Sequence, residues 1–563
     1  MIEQLPPGSI LLLGAFLVPF LRGRALQAYT LVLPLVSAWH LFSLPTGHEV
    51  SVEVFGYTMQ LVRADALTTA FGAVFHLASF LCFLYSLHVK DRIQPFAGLL
   101  YAGSAIGAVY AGDLITLFIF WEGTALSSVF LIWARRTERS YSAGLRYLVV
   151  QVGSGVLLLA GAILHYVGTG SLAFDHLGLD TPGGPLIFIA FGIKAAFPLL
   201  HNWVQDAYPE ATVTGTIFLA SFTTKLAIYA LARGFSGTEI LVPIGAAMTA
   251  FPIFFAVIEN DLRRVLAYSL NNQIGFMVVA VGIGTTQAIN GAVTYAVAQI
   301  LYEGLLFMTM SAVLFRTGTS LGSELGGLYR SMPWTTGFCM VGAASISAFP
   351  FMNGFIAKIF VLTETAEAHH TIPFMIMLFA SAGVFHHAGI KIPYFAFFAH
   401  DSGRRVKEAP LHMLLAMGTA AALCIGIGIY PDPLFALLPH PVEIDVFTQS
   451  NIVGQLLLLF FSALAFAVLM LTGQYPPELR STNLDTDWLY RRVAPRLIGV
   501  VALGIRHTFA DVSAGLRRAL ASSGALLRRM HAPQGALGEP WSAGTSALWA
   551  AVLLCAYLLI GYL

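Results

Sequence analysis

Apolar stretches of about 20 residues recur along nearly the whole chain, and each is long enough to cross a lipid bilayer as a helix. Of the 563 residues, 57% are hydrophobic and 10% are charged, whereas a soluble domain carries roughly a quarter charged residues. The sequence therefore predicts an all-α polytopic membrane protein with about 14–16 transmembrane helices. We expect these helices near residues 8–21, 25–45, 66–88, 96–111, 114–133, 144–167, 184–200, 212–232, 238–258, 265–284, 288–315, 335–364, 373–399, 410–430, 452–472 and 545–562.

The basic residues outside these spans fall mainly in alternate loops. The loops between them hold only Arg63 and Arg233. Because basic loops stay on the cytoplasmic side, this pattern predicts a multi-pass membrane protein with both termini outside. The basic loops contain Arg22, Arg24, Lys90, Arg92, Arg135, Arg136, Arg139, Arg263, Arg264, Arg330, Arg404, Arg405 and Lys407.

The stretch from residue 485 to 530 breaks the pattern of fully apolar spans. Its arginines are spread among Leu, Val and Ile at helical spacing, which is typical of a basic amphipathic helix. Such a helix would lie along the cytoplasmic interface or across a neighbouring subunit.

Four of the six lysines lie inside predicted spans, namely Lys194, Lys225, Lys358 and Lys391. A lysine at the centre of a membrane helix costs about 2.5–3.5 kcal/mol, so such residues usually face a polar interior. Lys391 is near a span end, where its amine could instead extend to the interface.

Two carboxylates, Glu122 and Glu303, also fall within predicted spans. Burial disfavours the charged form of both amines and carboxylates, and a proton relay needs groups that change charge readily. Lys and Glu at membrane depth therefore indicate a route for protons.

Two of the spans contain a proline beside a lysine. Pro198 follows Lys194 in GIKAAFPLLHNW, and Pro350 precedes Lys358 in SISAFPFMNGFIAKIF. Proline removes an internal hydrogen bond, so each helix should kink or unwind there. Broken helices in corresponding halves of a membrane protein suggest an inverted repeat.

Several motifs resemble the proton-conducting subunits of respiratory complex I and of multi-subunit Mrp-type sodium/proton antiporters, most of all the D-type chain of those antiporters. They are GIKAAFPLLHNWVQDAYPEATVTGTIFLASFTTKLAIYALAR, IENDLRRVLAYSLNNQIGFMVVAVGIG, ELGGLYRSMPWTT, GAASISAFPFMNGFIAKIF and HHAGIKIPYFAFFAHDSGRRVKEAP. The resemblance covers roughly residues 65 to 490.

The resemblance implies two inverted five-helix bundles, each a proton half-channel with a broken helix. The implied division is accessory helices at 1–95, half-channel repeats at 96–235 and 236–400, C-terminal transmembrane helices at 401–475, a cytoplasmic amphipathic helix at 476–540 and a terminal transmembrane helix at 541–563.

The resemblance also implies roles for individual residues. Glu122 matches the glutamate that pairs with the broken-helix lysine, and Lys194 matches that lysine. Lys225 matches the central bridging base, and Lys358 the terminal lysine of the second half-channel. His201 matches a residue after the break that is either a relay or a helix-end contact.

The chain departs from the family at one helix of the second half. The family pattern resembles H-x-x-x-H-x-x-x-K-A, a ladder of bases on one helix face, but Tyr295, Gln299 and Glu303 stand in those places, followed by Gly304. Two interpretations stay open: a relay built on a carboxylate, or a second half-channel that no longer conducts and is kept for assembly.

The predicted function is proton translocation as one subunit of a monovalent cation/proton antiporter, with other membrane subunits, the lipid bilayer, protons and sodium as partners. The alternatives are an antiporter-like subunit of a quinone- or hydrogenase-linked respiratory complex, and the proton-driven subunit of an inorganic-carbon uptake complex. We expect no catalytic activity from the chain alone; within a respiratory complex it would serve an NADH/quinone oxidoreductase-type translocase.

The sequence contains no nucleotide-binding loop and no cysteine cluster, so we expect no cofactor and no nucleic-acid partner. Adjacent histidines on a helix point about 100° apart and chelate one metal poorly, so His386 and His387, like His369 and His370, are expected at loops or interfaces. We expect four buried thiols at Cys82, Cys339, Cys424 and Cys555.

Overall fold

The computed structural model describes residues 5–476, 478–479, 483, 485–538 and 540–562, in two compact units that divide after residue 483. Within this part of the chain, 13 helices are long and apolar enough to cross a membrane, and one of the 13, Arg491–Met530, is the segment predicted to be amphipathic. Two shorter apolar segments, Ser9–Phe20 and Gly184–Lys194, correspond to two further predicted spans. The prediction of a polytopic helical membrane protein is confirmed.

The first half of the larger unit consists of helices joined by short loops and one β-hairpin. Its elements are α1 (Ser9–Ala15), α2 (Gly23–Ser43), β1 (Glu49–Val54), β2 (Tyr57–Arg63), α3 (Ala66–Tyr85), α4 (Ile93–Tyr110), α5 (Leu114–Trp133), α6 (Glu138–Thr169), α7 (Gly184–Lys194), α8 (Asn202–Ala207), α9 (Gly215–Ser221) and α10 (Thr223–Gly234).

The second half of this unit is helical in every described element. It contains α11 (Leu241–Ile258), α12 (Leu262–Ile283), α13 (Thr286–Thr317), α14 (Pro333–Ile346), α15 (Asn353–Glu367), α16 (Thr371–Val384) with π-helical turns at Phe385–Lys391 and Tyr394–Phe398, α17 (Leu411–Ile429), α18 (Asp432–Phe435) and α19 (Gln449–Leu471).

The hairpin of β1 and β2 lies where only a loop between spans was expected. Val54 pairs with Tyr57, which leaves a two-residue turn of Phe55 and Gly56, both with positive φ (51° and 83°). A turn of this kind matches the twist of two antiparallel strands. The alternation in EVSVEV was the available signal, but the strand is too short and too exposed to stand out between apolar spans.

Two five-helix repeats are related by a shift of 148 residues. Helices α4 and α11 each have 18 residues, and α6 and α13 each have 32, with bounds displaced by that shift. Asp113 and Asp261 cap the intervening helices, and each forms an isolated antiparallel bridge to the loop that follows the long helix. Because each repeat has an odd number of membrane segments, the second is inverted relative to the first, as predicted.

The broken helices carry the same backbone distortion in both repeats. In the first, Ala196 and Leu199 flank Phe197-Pro198 with φ of 62° and 70°. In the second, Ala348 and Phe351 adopt φ of 57° and 66°. Non-glycine residues rarely adopt positive φ, so four of them at matching places indicate a built feature of the fold. The predicted breaks at Pro198 and Pro350 are confirmed.

The centre of the larger unit is formed by the segments from both repeats that are enclosed by others. In the segments Gly215–Gly234, Leu262–Ile283 and Thr286–Thr317, at least 94% of the most apolar window is buried. In the outer helix Gln449–Leu471 the corresponding share is 22%. The enclosed segments carry Lys225 and Glu303, together with Tyr295 and Gln299.

The smaller unit contains α20 (Ala494–Met530) and α21 (Ala543–Tyr562). Helix α20 has 37 residues with arginines spread along its length, and none of its residues is buried. Its predicted amphipathic character is confirmed. Cys555 on α21 is exposed, whereas the other three cysteines are buried. The prediction of a buried thiol was wrong at Cys555, because no described residue of α21 is covered by protein.

Candidate functional site

Lys194 ends α7 at the first break, and its side chain is completely buried. Its ammonium donates to the carbonyl oxygen of Trp121 at 2.6 Å and to Thr124 Oγ1 at 2.8 Å, and it lies 4.3 Å from the centre of the Trp121 ring. Among the described residues it forms no ion pair. A buried amine with dipolar partners only can lose its proton without leaving an unpaired carboxylate.

Glu122 follows Trp121 on α5 and interacts electrostatically with Lys194 without a direct ion pair. Its Oε1 atom is buried and has no hydrogen-bond partner within the described chain. A Cβ atom on Gly155 would lie 1.6 Å from Oε1, so this carboxylate fills the space in which a side chain at position 155 would begin. The glycine on α6 therefore makes room for the acid.

We expect Gly155→Ala to reduce proton flux, because the added methyl group must displace the Glu122 carboxylate. Gly153→Ala is the matched control, since a Cβ atom there has no neighbour within 4 Å. The measurement is proton flux in reconstituted vesicles containing equal amounts of each protein. Normal flux in Gly155→Ala would show that the position of this carboxylate is unimportant.

Hydroxyl groups connect the surroundings of Lys194 with those of the next lysine. Ser128 Oγ donates to the Thr124 carbonyl oxygen at 2.6 Å and lies 2.8 Å from the Tyr147 hydroxyl. The Tyr101 hydroxyl lies 2.5 Å from Thr223 Oγ1. All five side chains are buried. These residues were missed in the sequence; the available signal was polar residues at four-residue spacing within an apolar span.

Lys225 and Glu303 bring the two repeats together. Lys225 lies on α10 and donates to the Ala220 carbonyl oxygen at 2.8 Å, while Glu303 lies on α13. Both side chains are 0% exposed, and each interacts electrostatically with the other. Neither carboxylate oxygen of Glu303 accepts a hydrogen bond of normal geometry in the described part of the chain, and the Gln299 side chain lies close enough to interact with it. The Lys225 amine of the first repeat therefore interacts electrostatically with the Glu303 carboxyl group of the second repeat.

The internal repeat relates the position of Glu303 to that of Gly155 in the first half. A shift of 148 residues places position 303 on position 155, where the Glu122 carboxylate fills the space beside Gly155. By the same shift, Leu270 takes the place of Glu122. The two repeats thus put a carboxylate in equivalent surroundings, but they supply it from different helices.

Tyr295 belongs to a fixed hydrogen-bond network in the second repeat. Its hydroxyl donates to Gln273 Oε1 at 2.6 Å, and the Tyr302 hydroxyl donates to the same atom at 3.0 Å. Gln299 Nε2 donates to the Leu270 carbonyl oxygen at 3.2 Å. Gln273 and Tyr302 were missed in the sequence, although the NNQ triplet at 271–273 within an apolar helix was an available signal. These partners explain how polar groups that are not bases can be buried here.

Lys358 lies on α15 after the second break and is 1% exposed. Its ammonium has no hydrogen-bond partner among the described residues and lies 5.6 Å from the centre of the Phe276 ring. A charged amine so placed needs hydrogen-bond acceptors, which water would supply. Lys358 is thus the least satisfied of the predicted lysines.

His201 lies at the first break, at the N-terminal end of α8. It is buried, and its ring lies 4.5 Å from the ring of Phe251 on α11. The structure thus places it at a contact with the second repeat. This is consistent with either of the roles left open for it.

Lys391 is buried by protein where α11 ends. Its amine donates to the carbonyl oxygens of Ala256, Val257 and Glu259 at 3.2, 2.7 and 2.6 Å, where α11 ends, and it pairs with Glu478 at 2.9 Å. The carbonyl groups at a helix end carry partial negative charge and attract a cation. Lys391 therefore joins the end of α11 to the segment after α19.

The histidine pair at 386 and 387 lies in a π-helical turn. His386 stacks on Tyr475 with ring centres 5.5 Å apart, and His387 is buried. Within the described chain, no three His, Cys, Asp or Glu side chains are grouped closely enough to hold a metal ion.

Comparison with known proteins agrees with this geometry. Residues 111–385 match the family described as NADH:quinone oxidoreductase/Mrp antiporter, TM. The matched region begins just before the N-terminal cap of α5 and ends after α16, so it includes every predicted proton-transfer residue.

Two curated relatives and one solved structure are similar to this chain over most of its length. Hydrogenase-4 component B of Escherichia coli is 26% identical over 434 residues, which cover 69% of this chain and 65% of that protein. The D-type chain of the Na(+)/H(+) antiporter of Alkalihalophilus pseudofirmus is 27% identical, over 66% of this chain and 80% of its own. A chain of the Mrp complex from Dietzia sp. DQ12-45-1b has a TM-score of 0.68 at 20% identity and covers 80% of this chain and 99% of its own. The chain thus shares its fold with antiporter-like subunits but spans under two thirds of the hydrogenase component.

Proposed function

We propose that this chain is the proton-translocating subunit of a multi-subunit monovalent cation/proton antiporter. Protons would move through Glu122 and Lys194 to Lys225, and then through Glu303 to Lys358. His201 would act beside the first break. The coupling cation proposed is sodium, by analogy with the antiporter relative.

One observation carries this proposal. Four of the five ionisable groups are at most 1% exposed, and within the described chain none of the five forms an ion pair. Burying a charge without a partner is costly, so structural lysines and glutamates in proteins are normally paired. Groups that must exchange protons gain from the lack of a fixed partner, because neither charge state is locked.

For the second repeat we propose that Glu303 is part of the route rather than a relic kept for assembly. It interacts electrostatically with Lys225 of the other repeat, and it stands at the repeat position of Gly155, beside which the Glu122 carboxylate lies. Neither Glu303 oxygen has a fixed hydrogen-bond partner of normal geometry within the described chain, whereas the Tyr295 hydroxyl and the Gln299 Nε2 atom each have one.

A second candidate is an antiporter-like subunit of a hydrogenase- or quinone-linked respiratory complex. The similarity to hydrogenase-4 component B favours it, and the proton route would be the same. Purifying the chain with its partners, followed by mass spectrometry, separates the two candidates. Small antiporter subunits would support the first, whereas iron–sulfur, hydrogenase or quinone-binding subunits would overturn it in favour of the second.

We further propose a bacterial inner-membrane location with both termini outside and the basic loops in the cytoplasm. The division at residues 95, 235, 400, 475 and 540 is part of the same proposal. It rests on the spacing of the repeats and on the alternation of basic loops.

Helix α20 provides a test of its proposed interfacial position. Single cysteines placed at Arg506 and Arg517, on its basic face, should react with a membrane-impermeant thiol reagent from the cytoplasmic side. Cysteines at Val501 and Leu516 should be protected, because the apolar face would lie against lipid or a neighbouring subunit. Equal labelling at all four positions would contradict an interfacial helix. The background should lack Cys555, which is exposed.

A further inference from the structure

Three cations line a cavity at one end of the larger unit. The cavity has a volume of about 640 Å³ and lies where the start of α2, the α3–α4 loop and α9 meet. Arg22, Lys90 and Arg92 line it, together with apolar side chains such as Leu26 and Phe83. The cavity thus combines a basic rim with an apolar wall.

These cations lack counter-charges of their own. Most other arginines near loops pair with a carboxylate, whereas none of these three forms an ion pair within the described chain. Arg92 donates to the carbonyl oxygen of Pro19 at 2.7 Å. The only acid beside them in sequence, Asp91, accepts a hydrogen bond from the backbone amide of Ile93 at 3.1 Å. An anion bound here would supply the missing charge.

An apolar groove continues from this cavity across Arg92, which lines both. The groove has a volume of about 530 Å³ and runs between α4 and α5, with Phe96, Leu100, Leu126 and Phe130 on its walls. Leu126 and Phe130 are exposed, so the groove opens towards the membrane interior. Its walls fit a hydrocarbon chain, and a small soluble anion would leave them empty.

We propose that these two cavities together form a binding site for one anionic phospholipid. The phosphate of the head group would sit beside Arg92, where the two cavities meet, with Arg22 and Lys90 around the rest of the head group. An acyl chain would fill the groove between α4 and α5. Charge complementarity selects an anionic lipid over a zwitterionic one, because the cavity and groove are lined by three cations and by no carboxylate.

The site lies against the first half-channel. Helix α5 forms one wall of the groove and also carries Glu122, Trp121 and Thr124, which surround the Lys194 amine. A lipid in the groove would hold α4 and α5 in place without touching any proton-transfer residue. The inference does not depend on which ion the assembly exchanges.

The test is native mass spectrometry of the full chain with its co-purifying subunits, after delipidation and addition of phosphatidylglycerol or phosphatidylcholine. We expect phosphatidylglycerol to remain bound and phosphatidylcholine to be lost. A double variant, Lys90→Gln with Arg92→Gln, should bind phosphatidylglycerol roughly 30-fold more weakly, since each cation near an anionic group contributes about a factor of five. The matched control, Arg24→Gln with Lys407→Gln, removes two charges that do not line the cavity and should bind normally.

A second variant separates this site from general surface attraction. Leu126→Trp fills the groove and leaves all three cations in place, so it too should lose phosphatidylglycerol, while Arg92→Lys should retain it. Equal binding of both lipids, normal binding in Leu126→Trp, or equal weakening in the control pair would each overturn the proposal. So would full binding of glycerol 1-phosphate alone, which lacks an acyl chain. If a co-purifying subunit covers the groove, the groove is a protein contact, and this result would also overturn the proposal.

Discussion

Replacing Lys194 with alanine should abolish proton flux while the protein remains in the membrane. The lysine is buried at the first break, and its ammonium is held by a carbonyl oxygen and a hydroxyl of α5. Alanine removes the titratable amine at this point of the proposed route. Positioned proton-transfer groups contribute about 100-fold or more to rates, so flux should fall to background. The measurement is dye-reported proton flux in vesicles, normalised to the amount of inserted protein.

Two variants control this result. Lys407→Ala removes a lysine from an exposed loop and should leave flux unchanged. Glu122→Gln keeps the size of the side chain but removes the charge that acts on Lys194, so flux should fall less than in Lys194→Ala. Wild-type flux in a stably inserted Lys194→Ala protein would overturn the role assigned to this lysine.

Replacing Glu303 with glutamine should produce the second large loss of flux. Glutamine keeps the size of the side chain and its ability to form hydrogen bonds, but it cannot bind and release a proton. No hydrogen bond of normal geometry to either carboxylate oxygen occurs in the described chain, and a glutamine can keep the interaction with the neighbouring Gln299 amide. The expected loss is again about 100-fold in the same flux measurement, with folding and assembly unchanged.

A substitution at the neighbouring Gln299 tests whether the acid must stand at position 303. Gln299→Glu moves the acid by one turn and should not restore flux to Glu303→Gln, because the acid that acts on Lys225 stands at position 303. Glu303→Lys restores the residue type of the resembled family but places it opposite Lys225, where two cations repel. It should recover flux only if Gln299 and Tyr295 also become histidine. If Glu303→Gln shows normal proton flux while Lys194→Ala shows none, only the first repeat conducts protons.

Much of the fold could be predicted because membrane helices are specified locally. Apolar length predicts each span, and proline predicts where Pro198 and Pro350 break two of them. In the sequence the repeat was indicated only by two spans with a proline beside a lysine, because the helices that share a 148-residue shift have few residues in common. The two repeats share helix lengths and N-terminal caps, for example the caps Asp113 and Asp261. Such features are recognised only once the helix ends are known.

The site was predicted less completely than the fold. Ionisable residues at membrane depth stand out in a sequence because few other roles place them there, so Lys194, Lys225 and Glu303 could be named in advance. The residues that pack against them or form hydrogen bonds near them could not be named in advance. The space beside Gly155 belongs to a side chain on another helix, and Tyr302 reaches Gln273 across a helix pair. Contacts of this kind depend on helix packing, which a single sequence does not specify.

Infrared difference spectroscopy of the reconstituted protein tests most directly whether the buried acids carry protons. The absorption of a protonated carboxyl group is recorded as the pH on one side of the membrane is changed, for the wild type, Glu303→Gln and Lys194→Ala. The wild type should show carboxyl groups that gain and lose protons, one of which is missing in Glu303→Gln. In Lys194→Ala the signal of Glu122 should change while that of Glu303 remains. Identical difference spectra in the wild type and in Glu303→Gln would show that Glu303 keeps one protonation state, and would contradict a route through both repeats.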